Sequence, residues 1–125
     1  MLKISLIIGA GGFLGSISRY WLSLYVDKNF FGAYPFGTFS VNLIGCFLLG
    51  LIYAVADKEQ ILSHEMRFFL ATGFCGSFTT FSTFSYENQI LYQEGEWGTL
   101  TAYITLSIVI GLLATFGGVA LGKLY

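Results

Sequence analysis

The chain has 125 residues, of which 55% are hydrophobic, 18% aromatic and 10% charged. A soluble domain carries about 25% charged residues, so there is too little charge here to cover a water-facing surface, and the membrane class is the starting expectation. Six basic against seven acidic residues leave no excess with which to neutralise phosphates, which excludes nucleic-acid binding. At about 20 apolar residues per crossing there is room for four or five spans at most, and none for a multi-domain enzyme.

Lys3 followed by an apolar run has the outline of a signal peptide, yet no A-x-A-like site follows and three more apolar stretches do. A retained membrane helix over about 4–25 is therefore predicted, interrupted in polarity only by serines and Arg19. Asp27 to Pro35 contains the only proline, two charges and an aromatic cluster, and reads as an interfacial loop. A second helix is expected over 37–56, then a short aqueous connection over 57–67, with His64 as a solvated loop residue without a second metal ligand nearby. Cys46 and Cys75 lie singly in apolar stretches, and neither a disulfide nor a metal site is signalled. A third span over 68–91, a loop at Glu94 to Trp97 and a fourth helix over 98–124 complete an all-α, four-helix transmembrane domain covering residues 1–125.

Every carboxylate falls in a loop or near a span end. Glu87 alone lies inside a predicted span, about ten residues and hence about 15 Å beyond the centre of the third helix. No role is assigned to it. A proton-coupled exporter needs a buried titratable carboxylate, which weakens that class. If the spans alternate, Lys3, Lys58, Arg67 and Lys123 lie on one side and Arg19 and Lys28 on or toward the other, a bias that favours cytoplasmic termini.

Five features stand out from the apolar background. Glycines recur at spacings such as Gly11 to Gly15, as expected of small-xxx-small helix packing. In the third span, Gly76-Ser77 followed by Thr79-Thr80 puts backbone freedom and hydroxyls at the expected bilayer centre. A helix broken there would have to line water, protein or an ion, because unpaired amides cost several kcal/mol in hydrocarbon, and its freed carbonyls would suit a monovalent cation. An unbroken helix with one weak glycine is the alternative. Beyond this point Phe81 and Phe84 share one face, with Thr79, Ser82, Thr83 and Tyr86 on the adjoining stripe. Ring edges carry partial positive charge and can favour a small anion, although phenylalanines in a membrane helix also serve packing or face lipid. Asn42 is either an anion donor or a bond to a partner helix, and Tyr103, Ser107, Gly111 and Thr115 recur every four residues on the fourth helix as a polar track or a packing seam.

The motifs Gly11-Gly-Phe-Leu-Gly-Ser-Ile-Ser-Arg19-Tyr, Pro35-Phe-Gly-Thr-Phe-Ser-Val-Asn42-Leu-Ile-Gly45 and Gly73-Phe-Cys-Gly-Ser-Phe-Thr-Thr-Phe-Ser-Thr-Phe84-Ser, in this order along the whole chain, resemble those of the Fluc (CrcB) family of fluoride channels. The resemblance implies a four-helix protomer with a break in the third helix. It pairs antiparallel with a second copy in the inner (plasma) membrane, giving two pores that let cytoplasmic fluoride escape passively, without enzyme activity. It also implies a structural sodium ion (Na+) on the backbone carbonyls of Gly76 and Thr79, and fluoride (F-) pores formed by Asn42, Phe81, Phe84, Ser82, Thr83, Tyr103, Ser107 and Thr115, with Arg19 in the vestibule. Two departures from the family pattern are Gly111, where some members carry serine, and Ser77, where a second glycine is frequent. The uneven charge distribution makes an oppositely biased paralogue the alternative partner. The rival readings are a small multidrug-type exporter, which would need a carboxylate that residues 4–25 lack, and a non-transporting assembly subunit.

Overall fold

The computed structural model describes residues 1–58 and 61–125, and among these every regular element is helical. Helix α1 spans Leu2–Asn29 and α2 spans Phe36–Ala56. After a single-turn α3, His64–Arg67, the chain continues as a π-helix over Phe68–Cys75 and a short α4, Gly76–Phe78. Helices α5, Phe81–Gln93, and α6, Trp97–Leu124, complete the chain.

α1, α2 and α6 are each long and apolar enough to cross a membrane. At 1.5 Å per residue, 28-residue helices such as α1 and α6 reach about 42 Å, beyond the roughly 30 Å of a hydrocarbon core. The predicted first span is thus too short at both ends. Its helix continues through Asp27, Lys28 and Asn29 because these residues have a use in helical form: Asp27 Oδ1 accepts the Gly37 N–H (2.8 Å), placing a carboxylate on the free donors at the start of α2. Gly32, at φ +113°, turns the chain between the two helices, and Pro35 precedes α2, where its missing N–H costs nothing.

The third span, expected over 68–91 with a break at its centre, is the most subdivided part of the chain. His64 opens α3 behind Ser63, whose hydroxyl accepts the Met66 N–H (3.1 Å), and its ring meets Phe68 edge-on at 4.8 Å. It is therefore a helical residue, not a loop residue as expected. In the π segment the Gly76 N–H bonds the Ala71 carbonyl five residues back. Gly76 itself is helical (φ −60°, ψ −33°), whereas Thr79 (φ −85°, ψ 153°) and Thr80 (φ −148°, ψ 114°) are extended. The extended residues fall at the C-terminal end of the Gly76 to Thr80 stretch named from the sequence, with Gly76 itself still helical.

Packing explains most of the buried glycines. α2 lies along α6, and α1 lies against the π segment and α4. A methyl at Gly11 or Gly15 would run into the Phe69 or Phe74 carbonyl, and one at Gly50 or Gly118 into the Thr115 or Phe47 carbonyl. Backbones approach this closely only where no Cβ intervenes, the usual basis of helix association in lipid. Lys3 and Glu65 form an ion pair that brings the start of α1 and α3 to the same end of the bundle.

Candidate functional site

Where α4 stops, the side chains of α2 and α5 take over the bonds that a helix would have made. Asn42, about a turn and a half into α2, faces the extended Thr80. Asn42 Oδ1 accepts the Thr80 N–H (2.8 Å), and Asn42 Nδ2 donates to the Thr80 carbonyl (3.2 Å). Thr80 is also the N-cap of α5: its Oγ1 accepts the Thr83 N–H (3.1 Å) and donates to Thr83 Oγ1 (3.1 Å), with Ser82 Oγ at 3.3 Å. On the other side of the interruption the Cys75 carbonyl accepts both the N–H and the hydroxyl of Thr79 (3.1 and 2.9 Å). The Thr79 methyl lies where a side chain at Gly45 would be.

A cavity of about 270 Å³ opens beside this junction and is lined by Asn42, Cys46, Thr79, Thr80, Phe81, Phe84, Ser107 and Ile108. Phe84 sits half-buried at its edge, 5.7 Å from the exposed Phe81 ring and 4.9 Å from the Tyr103 ring, which it meets in a T. Tyr103 is fully buried on α6, one turn before Ser107. In the cavity wall, the buried Ser107 Oγ has no hydrogen-bond partner among the described residues. Buried hydroxyls are nearly always partnered, so this one is an exception that needs a reason. The Tyr103 hydroxyl is directed away from the cavity, toward Thr38 and Glu87.

Of the residues singled out from the sequence, Asn42, Phe81, Phe84 and Ser107 therefore share one cavity, with Thr79 in its wall and Tyr103 packed behind Phe84. Ser82 and Thr83 belong to the N-cap of α5. Three residues lie elsewhere. Thr115 donates to the Gly111 carbonyl of its own helix (3.2 Å), and its turn packs on Gly50. Arg19 Nε donates to the Ser77 carbonyl (3.1 Å) at the end of α4. Gly76 is exposed on the surface of the chain, and a Cβ there would meet only the Ala71 carbonyl, at 3.8 Å. Sequence reasoning gave Thr80 no site role, although a threonine directly before a resumed helix is a standard N-cap signal. Cys46 and Ile108 in the cavity wall carried no signal at all.

Among the described residues no three His, Cys, Asp or Glu side chains converge as metal ligands, so a cation in this region would depend on backbone oxygen. Residues 6–119 match the family described as CrcB-like protein, Camphor Resistance (CrcB). The chain belongs to the CrcB family. Among its relatives, a protein of Azobacteroides pseudotrichonymphae is 42% identical over 125 residues, covering all of both chains. One of Chlorobium phaeobacteroides strain BS1 is 46% identical over 96% of this chain and 93% of its own, and one of Chlorobaculum tepidum is 46% identical over 100% and 98%. All three of these CrcB relatives bear the name fluoride-specific ion channel FluC.

Proposed function

We propose that this chain forms a passive, fluoride-selective channel that lets cytoplasmic fluoride leave down its electrochemical gradient. The observation that carries this reading is the cavity that brings the Asn42 amide and the unpartnered Ser107 hydroxyl together with the Phe81 and Phe84 rings. Hydroxyl and amide donors together with positive ring edges can replace the water around a small, hard anion without the grip of a fixed charge. The relatives named as fluoride channels support the choice of ion. Hydrogen fluoride entering as a weak acid dissociates in a more alkaline cytoplasm, and a negative potential drives the anion out at about 2.3 kcal/mol per 100 mV. The process requires no covalent chemistry.

The functional unit in this reading is two copies packed antiparallel in the inner membrane, with the third-helix break at their shared face. An oppositely biased paralogue is the alternative partner. The residues around the interruption fit a structural sodium ion. In an unbroken helix the Thr80 and Thr83 N–H groups would bond the Gly76 and Thr79 carbonyls, but here they donate to Asn42 Oδ1 and Thr80 Oγ1. Gly76 and Thr79 of each protomer would hold the ion, and neutral carbonyls suit a monovalent cation better than a divalent one, which recruits carboxylates. When bound, sodium would offset the carbonyl dipoles and add a positive potential beside the anion paths.

The deciding experiment is efflux from liposomes containing only this chain. Fluoride release with chloride retained is expected. Comparable release of both ions would overturn selectivity, and no release from well-folded protein would show that the chain does not suffice alone.

A further inference from the structure

The Asn42 amide is engaged at both ends by the backbone of a single residue, Thr80. Its oxygen accepts from Thr80 N–H and its nitrogen donates to Thr80 C=O. The two bonds run in opposite directions, so they fix which way the amide faces and leave only one N–H of Nδ2 for anything in the cavity. Accepting the Thr80 N–H has a second effect. The natural acceptor for that group, one helical turn back, is the Gly76 carbonyl. With Asn42 absent, the nearest way to satisfy a buried N–H is to return it to that carbonyl and close the helix over the interruption.

We propose that Asn42 is a positioning residue for the cation site: by holding the Thr80 backbone it keeps the Gly76 carbonyl open as a ligand. This rests on the reading that the Gly76 and Thr79 carbonyls hold sodium. Thr80 does the same for Thr79 through its own hydroxyl, so the two ligand carbonyls are kept free by two different side chains, both of which line the cavity. Cation binding and anion conduction are thereby coupled through the same two side chains.

The test uses purified full-length protein reconstituted in lipid, in the wild type and in Asn42→Leu and Asn42→Asp variants. Sodium retained per chain after passage through sodium-free buffer is measured by atomic emission, and fluoride efflux is measured alongside it. Gly76 is monitored directly by carbonyl-13C glycine and 15N serine labelling, because Gly-Ser occurs only at Gly15-Ser16 and Gly76-Ser77. Asn42→Leu is expected to lower retained sodium by about tenfold or more, the scale of leaving one buried polar group unmet, and to move the Gly76 carbonyl signal to a hydrogen-bonded position. Asn42→Asp keeps the acceptor for Thr80 N–H and loses the amide donor, so it should retain sodium while fluoride efflux falls. If Asn42→Leu does not assemble, Asn42→Ser, too short to bond the N–H and C=O of Thr80, is expected to show the same sodium loss. Wild-type sodium and an unmoved Gly76 signal in Asn42→Leu or Asn42→Ser would overturn the proposal and leave Asn42 as a pore donor only. A wild-type protein that retains no sodium would instead overturn the cation reading, while the Gly76 signal would still decide whether Asn42 holds the carbonyl open.

Discussion

Arg19 Nε donates to the Ser77 carbonyl across 3.1 Å, joining the middle of α1 to the last turn of α4. The family resemblance implies a vestibule role for this arginine. The bond to Ser77 also gives it a structural one, since a guanidinium at the carboxyl end of a helical run satisfies a loose carbonyl and opposes the negative end of the helix dipole. Arg19→Ala leaves that carbonyl unpaired and is expected to destabilise the fold by about 1–3 kcal/mol. Thermal unfolding of the purified protein would measure the loss, and Arg19→Lys should recover only part of it because lysine lacks the planar fork.

The crossing of α2 and α6 yields a paired prediction. A methyl at Gly118 would collide with the Phe47 carbonyl, whereas one at Gly117 meets nothing within 4 Å. Gly118→Ala should therefore cost about 1–3 kcal/mol through overpacking. Gly117→Ala should be neutral or stabilising by up to about 1 kcal/mol, as expected for alanine against glycine in a helix. Denaturant titration in detergent compares the two, and equal effects would show that this crossing does not depend on close backbone approach.

Phe81 and Phe84 are separable by their surroundings. Phe81 is 79% exposed on the single chain, while Phe84 packs edge-on against Tyr103. Replacing either by isoleucine keeps apolar volume and removes the polarised ring edge. Fluoride efflux should fall by about three- to tenfold in each, the rate equivalent of roughly 0.5–1.5 kcal/mol for an aromatic contact. Only Phe84→Ile should also lower the unfolding temperature of the chain. Normal efflux in both variants would reduce the rings to packing.

Orientation in the membrane gives a fourth test. Lys3, Lys58, Arg67 and Lys123 lie at or beyond the ends of helices that meet on one side, and Lys28 marks the other. If the chain pairs with its own inverted copy, a reporter cysteine replacing Asn29, with Cys46 and Cys75 removed, should be labelled from both faces of the native membrane in similar amounts. Labelling from one face only would point to a paralogous partner.

The apolar stretches and their connections were legible because charge is excluded from hydrocarbon at a cost of several kcal/mol, and the sequence therefore shows where the chain leaves it. The ends were less so. Asp27 to Asn29 read as loop by polarity, and their helical form follows from a bond to Gly37, ten residues away. Asn42, Phe81, Phe84 and Ser107 could be picked out as polar or aromatic exceptions, but the engagement of Asn42 by Thr80 is a relation between two helices that no local spacing encodes. Thr115 illustrates the converse. It has the four-residue spacing of Tyr103 and Ser107, yet its hydroxyl turns back to its own helix.

The π-helix over Phe68–Cys75 acts as a phase adjuster. A wide turn accommodates an extra residue without unwinding the helix, and each residue added to or removed from a helix turns everything beyond it by about 100°. Gly11 and Gly15 hold the wide segment against α1, so the rotation is taken up there and delivered to Thr79 and Thr80. Deleting one residue between Phe68 and Cys75 could relax the segment to an ordinary helix of similar hydrophobic reach. It would also swing the threonines away from Asn42, leaving a protein that inserts normally with its interruption aimed at the wrong neighbour.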